Sequence, residues 1–264
     1  MEVKKFIEML ENEGLEVTET TSNKWGDPVK TYMIGDHEST VRPCVYEEQI
    51  SSWTEEQAKA VIMNRIMNTP DFKREEIMKK EYILQNTTLA IRGITKDDSI
   101  LKFTVRGDLE IYFRLYINFN GEKASIKITQ QMIDNVEIEK SELYEAAFRN
   151  TEKEAKIMNM FDMMRDMGFP VPDVEEKVPV FVATNNNKYE GAAIMECKDL
   201  IDKFCIDHGY QGVAIIPSSI HEVLLVPITT DMSEEYMNSM IREVNETQVA
   251  EHDRLSDHVY YNYI

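Results

Sequence analysis

Apolar positions recur along this chain with two periods, about 3.6 and 2, and each change of period marks a change of element. Over residues 2–13, Val3, Phe6, Ile7 and Leu10 share one helical stripe, and Gly14 supplies a stop. Short β-type runs follow at 15–19, 29–34 and 39–46, divided by a turn-prone stretch at 22–28. Thr54-Glu-Glu-Gln57 is a capping-box pattern that opens a helix to about Asn68, with Pro70 beyond it. A further helix over 73–86 leads into strands. The clearest of these covers 109–117, where Leu109, Ile111, Phe113, Leu115 and Ile117 alternate with Glu110, Tyr112, Arg114 and Tyr116. That alternation predicts an antiparallel sheet with one wet face. Asn120-Gly121 reads as a tight hairpin turn into 124–129.

The second half repeats the mixture. Helices are predicted at 141–149 and 151–167, the latter capped by Thr151-Glu-Lys-Glu154, before a spacer with Pro170, Pro172 and Pro179. Strands at 178–184 and 191–195 flank a turn at 185–188. The helix at 197–207 spaces Cys197, Leu200, Ile201, Phe204 and Cys205 along one face and stops at Gly209. Two apolar strands then meet at the polar residues 217–222, and a last helix from about 231–234 puts Met237, Met240, Ile241 and Val244 on one face. The expected fold is α+β, with antiparallel or mixed sheets and flanking helices. The proline spacer divides an N-terminal part, 1–168, from a C-terminal part, 178–264, packed as one integrated unit.

Composition narrows the function classes. A chain of 264 residues, 42% hydrophobic and 29% charged, has the makeup of a soluble globular protein. No apolar run reaches the roughly 18 residues of a membrane span, and the N-terminus reads as an amphipathic helix, not a signal peptide. Cys44, Cys197 and Cys205 form no CxxC pair, which points to free thiols in a reducing cytoplasm and to no metal centre. No cofactor motif is present: 185–191 fits neither a phosphate loop nor a dinucleotide fingerprint. The net charge of −19 argues against direct contact with nucleic acid or an anionic membrane. It permits the reverse role, in which carboxylates occupy a partner's nucleic-acid groove. Two surfaces suit it: 36–56, with six acids and one base, and 231–257, with eight acids and two bases. Residues 73–127 depart from the trend, with eleven Lys/Arg against eight Asp/Glu, and offer either a place for a small anion or a patch that pairs with the protein's own acidic segments.

Candidate chemistry gathers at 217–222. On a strand, Ser219 and His221 share a face, the arrangement of a nucleophile and its base, with Glu222 or Asp257 to orient the ring. Arg92, Arg106 or Arg114 would hold a negative group. No GxSxG elbow and no glycine-rich oxyanion loop accompany them, so the competing reading makes both serines and His221 anchors of a strand junction. His252, Asp253, Asp257 and His258, joined by His221, are metal-capable residue types, but their spacing matches no standard ligand motif. Met158, Met163 and Met167 are candidates for an adaptable apolar surface, and Tyr260, Tyr261 and Tyr263 make an aromatic tail.

Several segments carry a resemblance. Val41-Arg-Pro-Cys-Val-Tyr46, Tyr144-Glu-Ala-Ala-Phe-Arg-Asn-Thr151, Val182-Ala-Thr-Asn185, Ile216-Pro-Ser-Ser-Ile-His-Glu-Val223 and Leu255-Ser-Asp-His-Val-Tyr260 resemble an uncharacterised family of bacterial proteins. That family is known only as a domain of unknown function, so the resemblance implies one integrated unit and no activity. The expected function is a non-enzymatic, cytoplasmic protein-binding or regulatory module. Its sharper form is an acidic anti-defence inhibitor, of anti-CRISPR or anti-restriction type, that mimics nucleic acid before a basic nucleic-acid-binding partner. Binding would use Glu234, Glu235, Glu243, Glu246, Met158 and Met163. The alternative is a hydrolase or small-anion-binding enzyme built on Ser219, His221 and Glu222.

Overall fold

Three antiparallel sheets, of three, five and four strands, carry the fold among the described residues. The computed structural model describes all residues except 25–26, 37–41, 69–73, 120–121, 167, 172–178 and 229–232. Two compact units emerge, residues 1–79 with 117–124, and residues 80–116 with 125–264.

In the first unit α1 (Val3–Asn12) buries Phe6 and Leu10, as its stripe requires, and Gly14 follows at φ 78°. β1 (Val17–Lys24) pairs with β2 (Asp27–Ile34), which pairs with β3 (Cys44–Tyr46). The helices are α2 (Glu47–Ser52), α3 (Glu55–Met67) and α4 (Arg74–Ile77). The expected capping box closes α3: the Gln57 N–H donates to Thr54 Oγ1 at 3.3 Å, and the Thr54 N–H donates to Gln57 Oε1 at 3.0 Å. Phe6, Leu10, Tyr32, Ile34, Val45 and Ile50 lead its core. The expected strand start at 39–41 and the Asn120-Gly121 turn lie outside the described residues.

The second unit opens with α5 (Lys80–Asn86), so the helix expected over 73–86 is two. Strands β4 (Thr87–Gly93), β5 (Lys102–Val105), β6 (Leu109–Phe119) and β7 (Glu122–Lys127) make a sheet ordered β4-β6-β5, with β7 also on β6. Then come α6 (Gln130–Asn135), α7 (Lys140–Glu154), β8 (Ala155–Asn159) and α8 (Met160–Asp166). After the proline spacer follow β9 (Phe181–Asn185), a 3-10 turn (Ala192–Glu196) and α9 (Lys198–His208). The unit ends with β10 (Gly212–Ile216), β11 (Val223–Pro227), α10 (Glu234–Thr247), a second 3-10 turn (Glu251–Asp253) and β12 (Tyr260–Tyr263). Its second sheet is ordered β12-β10-β11-β9-β8.

One core joins the two sheets of this unit: Ile91, Ile111 and Phe113 from one, and Ala183, Ile215 and Leu225 from the other, fall in a single apolar cluster. The opposite face of the five-stranded sheet presents Ala214 and Val226 to Met237 and Ile241 of α10.

Three expectations change. The helix predicted at 151–167 is the end of α7, a strand and a short helix. Thr151 is no cap: it is buried in α7, where its hydroxyl donates to the Ala147 carbonyl and accepts the Leu89 N–H. β8 forms because its backbone completes a ladder with β9, Ala155 to Asn159 opposite Asn185 to Phe181, and that pairing outweighs local helix preference. The same ladder runs across the proline spacer, so the parts expected at 1–168 and 178–264 share a sheet, and the division lies near residue 80. The strand predicted at 191–195 is a 3-10 turn, since a short, wholly buried apolar run does not reveal its period.

Cys197 and Cys205 are buried, Cys44 is exposed, and none is bridged. Burial first, then the carboxylates of Glu152 and Glu196, push the Cys197 thiol up to about 12. A thiol reagent at mildly alkaline pH should therefore modify Cys44 promptly, and the other two only on unfolding. Peptide mass mapping would show this, and prompt native-state labelling of Cys197 would contradict it.

Candidate functional site

The polar residues expected to carry chemistry do converge, but their bonds are spent on one another. Ser219 is buried, its hydroxyl donating to Glu222 Oε1 at 2.8 Å and accepting the His221 N–H at 3.0 Å. No bond joins it to the imidazole. His221 Nδ1 instead accepts the Glu190 N–H at 3.1 Å, which leaves the proton of the neutral ring on Nε2, 3.5 Å from Asp253 Oδ1. Tyr189 packs its ring on His221 at 4.9 Å. The His221 carbonyl accepts both the Thr184 hydroxyl, at 2.7 Å, and the Gly191 N–H, at 3.0 Å. The group is a latch between the β10–β11 connection and the loop after β9. The expected pairing of the Ser219 hydroxyl with the imidazole is not made; the hydroxyl is paired with the Glu222 carboxylate instead.

Other candidates are also engaged elsewhere. Asp257 accepts from Asn245 Nδ2 at 2.8 Å, far from the role of orienting His221. Asp253 stands between His221 and His252, 3.6 Å from the latter, while His258 Nε2 lies 3.7 Å from Asp108. Among the described residues no group of three or more His, Cys, Asp and Glu is placed to hold a metal ion. Arg92, Arg106 and Arg114 each face an internal carboxylate, Glu110, Glu196 and Glu190 respectively.

The face of β6 expected to be wet is closed. Glu110 and Tyr112 are each only 2% exposed. Glu110 Oε1 accepts from Arg92 Nε and from the Thr95 hydroxyl, each at 2.7 Å, and Oε2 lies 3.1 Å from Lys102 Nζ. Tyr112 donates to Glu190 at 3.2 Å beneath the guanidinium of Arg92, 4.8 Å above its ring. Burial drives the Tyr112 phenol up from its ordinary value, and Glu190 adds to the shift. Alternation locates the side chains of β6 correctly. It does not reveal that residues 94–99 and 186–190 supply polar partners from above.

The tyrosine tail divides. Tyr260 is buried, its hydroxyl 2.8 Å from both oxygens of Asp108 and 2.9 Å from Ser256 Oγ, with Arg106 over its ring at 5.2 Å. Tyr263 remains exposed. This Asp108–Ser256–Tyr260 cluster went unread in the sequence, where Asp108 is only a hairpin residue.

The expected binding residues sit on α10 and near β8. Glu234, Glu235, Glu243 and Glu246 are all exposed. Between them α10 shows a second apolar row beside its buried one: Tyr236, Met240 and Val244, at 70%, 39% and 42% exposure. Their i, i+4, i+8 spacing makes one continuous ridge. Met158 on the edge strand β8 and Met163 on α8 are half-buried; Met167 lies outside the described residues. In the first unit a cleft of about 340 Å³ is lined by Pro28, Val29 and Lys30 of β2 and by Tyr46, Glu47, Glu48 and Ser51 of the acidic segment 36–56. No helix among the described residues is long and apolar enough to cross a membrane.

A family model described as a family of unknown function (DUF5688) matches residues 1–263. No curated protein and no solved structure matches the chain.

Proposed function

We propose, for a chain that belongs to the DUF5688 family and takes no activity from it, a binding module that works through protein contacts in a reducing cytoplasm. The observation that carries this reading is the outer face of α10. An apolar ridge of Tyr236, Met240 and Val244 lies in water, bordered by the carboxylates of Glu235, Glu243 and Glu246. A helix normally turns one apolar stripe inward, and here Met237 and Ile241 already fill that role. The second stripe suits a partner that brings apolar anchors within a basic rim. The sharper form of the reading makes that partner a nucleic-acid-binding enzyme, with carboxylates of α10 in place of phosphates. The hydrolase alternative lacks the Ser219–His221 pairing it expected, because the hydroxyl of Ser219 donates to Glu222 and both nitrogens of His221 face other groups.

The test is a set of basic nucleic-acid-cutting enzymes, assayed for complex formation and inhibition at low and at physiological salt. Association should slow by roughly tenfold or more as salt rises, since steering between opposite charges is screened. Reversing Glu234, Glu235, Glu243 and Glu246 to lysine should abolish inhibition while the melting temperature holds. An interaction that is insensitive to salt and survives the four reversals would overturn the assignment of this face, as would the absence of any complex at low salt.

A further inference from the structure

The five-stranded sheet ends at β8, and part of that edge is open. The Met160 N–H donates to the Val180 carbonyl at 2.8 Å, and the Asn186 N–H donates to the Glu154 carbonyl at 3.1 Å. Residues 154 and 160 therefore turn their backbone toward β9, and so, by the alternation of a strand, do 156 and 158. The N–H and C=O of Ala155 and Ile157 point the other way. Among the described residues neither finds a hydrogen-bond partner there. The four-stranded sheet shows what a closed edge looks like: the outward N–H of Leu89 in β4 donates to the Thr151 hydroxyl at 2.9 Å. The guard on β8 is slight by comparison. It has no proline, no bulge and one charged side chain, Lys156, which stands off the face of the sheet and not along its edge.

Such an edge takes another strand, and two features select which. The first is that β8 matches its own inverted copy. A twofold axis through Ile157 sets that residue against Ile157 of a second copy, Ala155 against Asn159, and Lys156 against Met158, so no two like charges face each other. The outward backbone groups fall into register as well: the two Ile157 residues exchange a pair of N–H···O=C bonds across the axis. The second feature is charge. Residues 151–166, β8 with its flanks, carry three Lys/Arg and four Asp/Glu in a chain whose net charge is −19. Two copies of so acidic a chain approach most easily where charge is nearly balanced. Ala155 and Ile157 also have one flank on the core and the rest of their apolar surface uncovered.

We propose that a second copy of this chain docks on β8, strand to strand and antiparallel, so that two five-stranded sheets become one of ten strands. Ile157 lies on the axis. The contact does not depend on the α10 reading, since it uses another element and another occupant. Its response to salt is also of opposite sign. A basic partner is drawn to α10 less strongly as salt rises, whereas two copies of like charge repel each other less.

Sedimentation equilibrium of the full chain over a range of concentrations reads the association. The mass should approach twice that of the monomer, and the association constant should rise several-fold from low to physiological salt. Ile157→Pro removes an N–H that faces away from β9, leaves the β8–β9 ladder its bonds, and should stay monomeric. A thiol pair reads the register even where that variant melts early. In a Cys44→Ser background, Ile157→Cys sets two thiols on residues about 5.5 Å apart at Cα, within disulfide reach, and mild oxidation should give a covalent dimer. Ala155→Cys lies about 14 Å from its counterpart in the same register and should give roughly a tenth as much or less. A chain that stays monomeric at every concentration and salt would overturn the proposal. So would a dimer that survives Ile157→Pro, or equal cross-linking of the two cysteine variants, since either puts the contact elsewhere.

Discussion

Gly191→Ala should be among the most destabilising single substitutions in this protein, at roughly 2–6 kcal/mol. A methyl group there would lie 2.6 Å from the Asn185 nitrogen, 2.6 Å from Thr184 Oγ1 and 2.9 Å from the His221 carbonyl oxygen. Two of those three atoms are backbone and have no rotamer to escape through. Overpacking of this kind costs about 1–3 kcal/mol. Displacing the His221 carbonyl from its two donors leaves a buried acceptor unpaired, at about 1–3 kcal/mol more. Gly14→Ala is the contrast: an added Cβ meets nothing within 4 Å, and only the left-handed backbone, φ 78°, opposes it. That substitution should cost about 1–2 kcal/mol. Urea midpoints of the two variants give the comparison. A wild-type midpoint for Gly191→Ala would mean that the latch around His221 yields freely.

Glu110→Gln keeps the side-chain volume and removes a charge that two cations share. Arg92 and Lys102 are mostly buried, at 11% and 17% side-chain exposure, so they would be left without their nearest counter-charge. Breaking one partner of a buried ion pair costs about 3–5 kcal/mol. The acid limb of the stability curve should change as well. Burial pushes Glu110 up, but hydrogen bonds from Thr95, Arg92 and Lys102 outweigh it and hold the carboxyl below its ordinary value. Asp97 is held low in the same way, by the hydroxyl and N–H of Ser99 against burial. A folded-state pKa below the unfolded one, about 4.3 for Glu, gives stability that is complete above that value. It is lost as pH falls through the lower, folded-state pKa. Glu110→Gln should be less stable than wild type near neutrality and lose less on acidification. Parallel acid limbs for the two proteins would show that Glu110 does not titrate as this network requires.

What the sequence discloses here is local, and what it hides depends on contacts between distant segments. Gly14 and Gly209 stop their helices, Thr54 and Gln57 cap theirs, and the apolar half of β6 enters the core as its alternation demands. Each outcome is written within a few residues. The antiparallel α+β arrangement follows from these pieces. The failures share one cause. Residues 155–159 take strand form because β9 lies alongside, and Glu110 and Tyr112 are dry because Thr95 and Glu190 lie above them. The six residues around Ser219 and His221 are a cluster, as their spacing indicates, but spacing does not reveal that Ser219 turns to Glu222 instead of the imidazole.

The bonds from Asp108 to Ser256 and Tyr260 span 148 and 152 residues. β12 closes one edge of its sheet while anchored to the hairpin between β5 and β6. Chain closure over such a separation is slow to find, though its entropic cost grows only as the logarithm of length. The second unit therefore cannot mature by growth from its first elements outward. Until residues 256–263 arrive, the β10 ladder has a bare side and Asp108 has lost those two hydroxyl donors. During synthesis that interval leaves an unpaired strand edge open to neighbouring chains.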